Sequence, residues 1–284
     1  MSRQPRDAAS PRRALITGAG GGIGAAIARV LHAGGAMVIV TDTDLDAARV
    51  VADGIEGAEA VHLDVRSEQS VRTAIGSVTS RHGPLDILVN NAAVCSNLDF
   101  ESVPEPVWSA DVDVVLGGAI RLCQAVLPGM REAGRGAVVN VASVNGHRYF
   151  GNDTYSAAKA GLLNLTRGLA VQYGPYGVRV NSVSPGTIAT PIWEERLATD
   201  PDALDRAVPW YPMGRVGTVD DVAEAVAFLA GDRASWINGI DLPVDGGLLA
   251  GSRAMAVDIG AAVVDTGWPP PAVRRTGDGI RDGG

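Results

Sequence analysis

The sequence predicts an α/β fold: a single-domain, doubly wound parallel sheet of about seven strands with helices on both faces. Three observations carry this. Short β-rich runs alternate with longer helical stretches from Arg13 to about residue 250, an order that builds a parallel sheet covered on both sides. A glycine-rich turn joins the first such run to the first helix. The 284 residues, 46% hydrophobic and 20% charged, provide a sizeable core and exclude disorder for the body of the chain.

The elements follow in order. Strand 14–17 runs into the glycines and a helix near 22–34. Strand 37–41 ends at Asp42, before a helix near 44–53, and strand 59–63 ends at Asp64, before 67–82. Strand 85–90 leads into Asn90-Asn91-Ala92-Ala93 and a long helix, 105–132. Strand 137–142 ends on Ser143, and the next helix is 153–174. Strand 179–184 is followed by Pro185-Gly186, then by helix 218–231 and strand 240–243. Right-handed crossovers make this a doubly wound, Rossmann-like sheet. The stretch 186–217 is irregular, with Trp193, Trp210, Tyr211, Met213 and four prolines; such insertions are often lids or binding loops. Residues 1–11 read as a disordered arm, 12–250 as the domain, and 251–284 as an extension whose end, 269–284, is a flexible tail. No internal repeat is visible.

Composition excludes several functions. A net charge of -8 argues against a nucleic-acid partner, which needs a basic face. No apolar run spans a membrane, and the N-terminus has no secretory apolar stretch. Cys95 and Cys123 are the two cysteines, which suggests a reducing, cytoplasmic compartment. With four scattered histidines they give no metal-ligand spacing. One count is sharper: of the 24 basic residues a single one is lysine, Lys159. Either it survived by chance or its site needs an ammonium that a guanidinium cannot replace.

The turn reads Gly18-Ala19-Gly20-Gly21-Gly22-Ile23-Gly24. Glycines permit a tight turn and close backbone approach, and the helix N-terminus presents free N–H groups to a phosphate. The dinucleotide fingerprint is met literally by Gly20, Gly22 and Ala25. Asp42 ends the second strand, where an acid bonds the adenosine ribose and repels a 2′-phosphate. No arginine or lysine lies between Gly34 and Asp46, so NAD is favoured over NADP. Asp64 meets the adenine ring or caps a helix.

Tyr155 and Lys159 lie one helical turn apart on one face. Lowering a tyrosine from its ordinary pKa of about 10 by about 2–3 units takes roughly 3–4 kcal/mol. An ammonium about 4 Å away supplies about 4 kcal/mol at an effective dielectric near 20. Ser143, at the carboxyl edge of the sheet where such folds bind ligands, can polarise a substrate oxygen. Cys95 lies near the cofactor or is a buried inert thiol; Cys123 is packing. His147 and Tyr149, with Arg148 and Phe150, contact substrate or face solvent. Trp193, Trp210 and Tyr211 form an apolar lid or pack against a neighbouring subunit.

These residues resemble the classical short-chain dehydrogenase/reductase family over about residues 12–250. The matching motifs are Thr17-Gly18 with Gly22-Ile23-Gly24, Asp64-Val65, Asn90-Asn91-Ala92-Ala93, Ser143, Tyr155-Ser-Ala-Ala-Lys159, Pro185-Gly186 and Asp245-Gly246-Gly247. The resemblance implies that Asn91 and Val65 line the adenosine side, that Ile188 and Thr190 meet the nicotinamide carboxamide, and that Lys159 also holds the nicotinamide ribose. It implies helices 105–132 and 153–174 pairing across a dimer axis, in a homotetramer or homodimer. Two departures stand out. The Ser143–Tyr155 spacing is one residue short, so loop 145–153 is expected to sit differently. Val115 falls where the family has an asparagine thought to hold a relay water, and Asp111 lies one turn earlier on the same face.

The combined reading is an NAD-dependent oxidoreductase interconverting a secondary alcohol and a ketone. Tyr155 exchanges the hydroxyl proton, Lys159 tunes it, Ser143 positions the oxygen, and NAD takes the hydride. The rival, favoured by Val115, is a non-redox nucleotide-binding protein or an epimerase-like enzyme that keeps its NAD.

Overall fold

The computed structural model describes residues 11–96, 98–252, 255–256 and 259–260. The expected tail 269–284, and all of the expected arm except its last residue, lie outside them. Seven strands form one sheet in the order β3-β2-β1-β4-β5-β6-β7. They are β1 (Arg12–Thr17), β2 (Ala36–Asp42), β3 (Glu59–His62), β4 (Ile87–Asn90), β5 (Gly136–Val141), β6 (Val178–Pro185) and β7 (Asp241–Val244). Every neighbouring pair is parallel.

Both faces of the sheet are dry, which is why its strands read as unbroken apolar runs rather than alternating ones. In β1, Ala14 and Ile16 join one core with α1 (Gly22–Ala33) and α8 (Val219–Ala230). Leu15 joins the opposite core with α3 (Glu68–His82) and α5 (Gly118–Ala133). Helix starts are written locally. The Asp44 carboxylate accepts from Asp46 N and Ala47 N to start α2 (Leu45–Asp53). Ser67 caps α3, and Thr218 and Asp221 form a capping box on α8. Helix α1 differs: Gly21 precedes it without a side-chain cap, so its first N–H groups are free to meet a ligand.

Two expectations change. The helix expected over 105–132 is α4 (Glu105–Val112), a π-helical turn Asp113–Gly117, and then α5. Gly117 permits the slip. A Cβ there would lie 2.5 Å from Asp113 Oδ1, and Arg121 Nη2 closes over the turn by donating to that oxygen at 2.6 Å. A Cβ at Gly118 would meet Val65 at 2.8 Å. Such turns are rare and cluster at functional sites; this one places Val115 in a small apolar cluster beside Tyr155.

The irregular stretch 186–217 contains two 3₁₀ turns, Pro191–Trp193 and Val208–Trp210, and a short helix, α7 (Glu194–Thr199). Tyr211 pins it. The Tyr211 hydroxyl donates to Thr187 Oγ1 at 2.8 Å and accepts from Thr187 N at 2.7 Å.

Candidate active site

The strand order reverses between β1 and β4, and a crevice opens at their carboxyl ends, as expected of such sheets. Thr17 ends β1. Its hydroxyl accepts from Asn91 N and Ala92 N, each at 3.0 Å. The Asn91 side-chain amide donates to Thr17 O and Gly18 O, each at 2.9 Å. Asn91 therefore braces the glycine loop from beneath. That contact spans 74 residues and depends on two backbone carbonyls, so no local pattern announces it.

The loop needs its glycines for different reasons. Gly18 and Gly22 have φ of 62° and 53°, a region that favours glycine. A Cβ at Gly24 would sit 2.4 Å from Gly18 O and 2.7 Å from Asn91 Nδ2. Gly20 presses against Ala47 and Asp42. The essential set is thus Gly18, Gly20, Gly22 and Gly24, whereas Ala25 of the literal fingerprint is simply buried in α1. Ile23 packs partly buried on the α1 core. In front of Gly21 a Cβ would meet nothing within 4 Å. A glycine cradle, open space and uncapped helical N–H groups together fit a dinucleotide pyrophosphate.

Around this cradle the expected residues divide. The Asp42 carboxylate turns to the loop, accepting from Gly20 N at 3.0 Å through Oδ2 and from Asp44 N at 3.1 Å through Oδ1. Thr190 lies across from Gly22. Pro185 ends β6, and a Cβ at Gly186 would come within 3.0 Å of Tyr211 and 3.2 Å of Asp245. Ile188 bridges to Gly217 with its side chain buried in the core. Val65 is likewise buried against Gly118. Asp64 neither caps α3, where Ser67 does so, nor stands free. Arg66 grips it at 2.9 Å, holding its carboxyl below the usual range.

Ser143, Tyr155 and Lys159 converge at the carboxyl end of β5. Ser143 stands close enough to the Tyr155 hydroxyl to favour its charged form, while its own Oγ donates to Asn145 Oδ1 at 3.3 Å and accepts from Asn145 N at 3.2 Å. Lys159 is 2% exposed. Its Nζ donates to Val141 O at 2.6 Å and lies 5.3 Å from the Tyr155 ring centroid. Burial pushes the tyrosine up to about 12, with Ser143 pulling the other way, and the lysine down to about 7. Helical spacing alone leads one to expect the ammonium to lower the tyrosine. In the free protein it does not, because Nζ is directed at a carbonyl and burial penalises both charged forms.

The shortened loop is tied back on itself. Asn145 Nδ2 donates to Gly151 O at 2.9 Å and to Ser156 Oγ at 3.1 Å, and Asn152 adopts φ 57°. His147 turns away to the sheet edge, 2.7 Å from Asp241 Oδ2 and 3.2 Å from Ser184 Oγ. Tyr149 and Trp210 are 75% and 64% exposed. Trp193, with Gly22, Thr190 and Leu204, lines a cavity of about 560 Å³ beside the glycine loop. Cys95, which the sequence alone leaves open, lies close enough to interact electrostatically with both Tyr155 and Lys159. Cys123 is buried, with its thiol pushed up to about 12, and is inert. Among the described residues no group of His, Cys, Asp or Glu side chains is placed to hold a metal ion.

A family model described as enoyl-(acyl carrier protein) reductase matches residues 18–249. A solved oxidoreductase of the short-chain dehydrogenase/reductase family from Burkholderia thailandensis superposes with a TM-score of 0.83 at 40% identity, covering 89% of this chain and 99% of that one. The chain belongs to the short-chain dehydrogenase/reductase family. Proteins of this family bind a nicotinamide cofactor. An uncharacterized oxidoreductase of Schizosaccharomyces pombe is 46% identical over 87% of this chain and 95% of its own length. A gluconate 5-dehydrogenase from Burkholderia cenocepacia, solved with NADP and tartrate, is 34% identical with a TM-score of 0.79, over 84% of this chain and 96% of its own.

Proposed function

We propose that this short-chain dehydrogenase/reductase uses NAD to interconvert a secondary alcohol and a ketone, with Tyr155 as the acid–base group. The observation supporting it most is the meeting of Ser143, Tyr155 and a fully buried Lys159 at the sheet edge that carries the glycine cradle. Bound nicotinamide supplies the hydride acceptor or donor. The chain supplies the rest. Tyr155 Oη takes the hydroxyl proton in oxidation and returns it in reduction. Ser143 Oγ fixes the substrate oxygen. Lys159, once charged, favours the phenolate. Trp193, Trp210 and Tyr149 border the small-molecule substrate, His147 is held back at the sheet edge by Asp241 and Ser184, and Tyr211 anchors the segment that bears the two tryptophans. The oxidoreductase relatives speak against the non-redox reading that Val115 favours.

Reduced nicotinamide formation from NAD across a panel of secondary alcohols tests the reading. Turnover of at least one alcohol supports it; none across a broad alcohol and ketone panel overturns it. A homotetramer or homodimer formed through α4–α5 and α6 (Asp153–Tyr173), working in the cytoplasm without nucleic-acid or membrane partners, completes the proposal. Among the described residues no helix is long and apolar enough to cross a membrane.

Cofactor choice rests on Asp42. Its carboxylate lies at the loop that receives the adenosine half, where it accepts from ribose hydroxyls and repels a phosphate. We expect NAD to bind at least about tenfold tighter than NADP, about 1.4 kcal/mol, when both are titrated by fluorescence, and Asp42→Ala to narrow the gap. Equal affinities or an NADP preference in the wild type refute it.

A further inference from the structure

Asp111 is a carboxylate buried beside the site. It lies near the end of α4 and is 2% exposed. Hydroxyls rather than a cation hold it: Ser96 Oγ donates to Oδ2 at 3.0 Å and Thr154 Oγ1 donates to the same atom at 2.6 Å. Oδ1 is the oxygen that neither of them uses. Thr154 precedes Tyr155 in the first turn of α6, and Ser96 follows Cys95 on the loop between β4 and α4. Tyr155 feels the Asp111 charge directly.

Tyr155 also packs against an apolar face. Val115 packs there with Ala119, Ala142, Ala158, Leu162 and Leu163 in an apolar cluster. Lys159 is fully buried and spends a donor on Val141 O. The ionisable groups facing the pair are Lys159 on α6 and Cys95 on the loop; Asp113 on the π turn is occupied by Arg121. A hydrogen-bonded row runs from Thr154, next to Tyr155 in the chain, through Asp111 Oδ2 to Ser96, and the Thr154 hydroxyl that donates to Oδ2 keeps lone pairs with which to accept.

We propose that Asp111 is the relay residue through which Tyr155 exchanges its proton with solvent. The proposal rests on the reading of Tyr155 as the acid–base group. During alcohol oxidation Tyr155 Oη gains the substrate proton and must lose it before the next turnover. The Tyr155 O–H bond breaks, the proton passes along the Thr154 hydroxyl or a bridging water, and an O–H bond forms on the Asp111 carboxylate. That bond then breaks as water or buffer takes the proton. Reduction runs the same path in reverse. Asp111 touches no reacting atom and acts only through Tyr155.

Asp111→Asn tests this in the full chain, because the amide keeps an acceptor for both hydroxyls but cannot carry the proton. Turnover is expected to fall by about tenfold, less than loss of the acid–base group itself. The solvent deuterium isotope effect is expected to rise, and added formate or imidazole to restore the rate; Asp111→Glu is expected to keep a low isotope effect. In the cofactor-free protein, Tyr155 is expected to titrate at lower pH in Asp111→Asn, read by ultraviolet difference against Tyr155→Phe. If the amide does not fold, Asp111→Ser carries the same comparison. Wild-type turnover and isotope effect in Asp111→Asn overturn the proposal. So does a loss that buffer does not restore, which marks a purely structural carboxylate. A Tyr155→Phe variant run alongside separates the failures. If it is inactive while Asp111→Asn is normal, only the relay falls; if it is fully active, the acid–base reading falls with it.

Discussion

Lys159→Arg lowers turnover by about 10²-fold or more, the scale of lost acid–base catalysis, and destabilises the free protein as well. Two properties of the site produce this. Nζ sits in a space that drives an ammonium down to about 7, so the free protein tolerates a lysine because that lysine can shed its proton. Arginine cannot, and a fixed guanidinium there carries an unpaired buried charge. The planar fork is also broader than the point charge that fits between Val141 O and the Tyr155 ring. Steady-state turnover and thermal unfolding are the measurements. Wild-type turnover and stability in Lys159→Arg would show that the single lysine is an accident of composition.

Gly24→Ala disrupts the cofactor cradle. Its Cβ would lie 2.4 Å from Gly18 O and 2.8 Å from Ala19 Cα. Both are backbone atoms, which cannot swing aside as a side-chain tip does. The added methyl forces apart the loop and the start of α1, at a cost of about 1–3 kcal/mol. NAD affinity is expected to drop by about tenfold to a hundredfold, the same energy expressed as binding. Gly21→Ala is the control. Its φ of -175° is extended backbone open to any residue, and its Cβ would meet nothing within 4 Å, so the free protein should melt as wild type does. Equal melting and equal NAD affinity in Gly24→Ala would contradict this account of the loop.

Local features are legible in the chain. The strand runs and the glycine turn each depend on a few consecutive residues, and the sheet forms from them with ends shifted by one or two residues; Ser143 stands two residues past the end of β5. The Tyr155–Lys159 pair is legible because helical spacing puts both on one face. The rest depends on contacts across long separations. His147 meets Asp241 across 94 residues, and Asp111 gathers Ser96 and Thr154 from two other elements. The π turn at Asp113–Gly117 escapes because a one-residue slip hardly changes the apolar pattern of a helix; the paired glycines at 117 and 118 are the available signal. Asp64 reads toward adenine or a cap, while its actual partner, Arg66, stands two residues away. For Lys159, a distance and a dielectric suffice to predict a lowered tyrosine. The Val141 carbonyl that turns Nζ away, and the burial that penalises both charges, exist only in the folded chain.

The central claim is that Tyr155 moves the substrate proton. Its most direct test compares wild type with Tyr155→Phe on an alcohol that the wild type oxidises, following NAD reduction with NAD affinity measured in parallel. Phenylalanine fills the same space and removes only the hydroxyl, beside which Ser143 stands. The account predicts turnover lower by about 10²- to 10⁴-fold with NAD affinity unchanged within about threefold, or about 0.7 kcal/mol. Wild-type turnover in Tyr155→Phe, with cofactor bound normally, would contradict it.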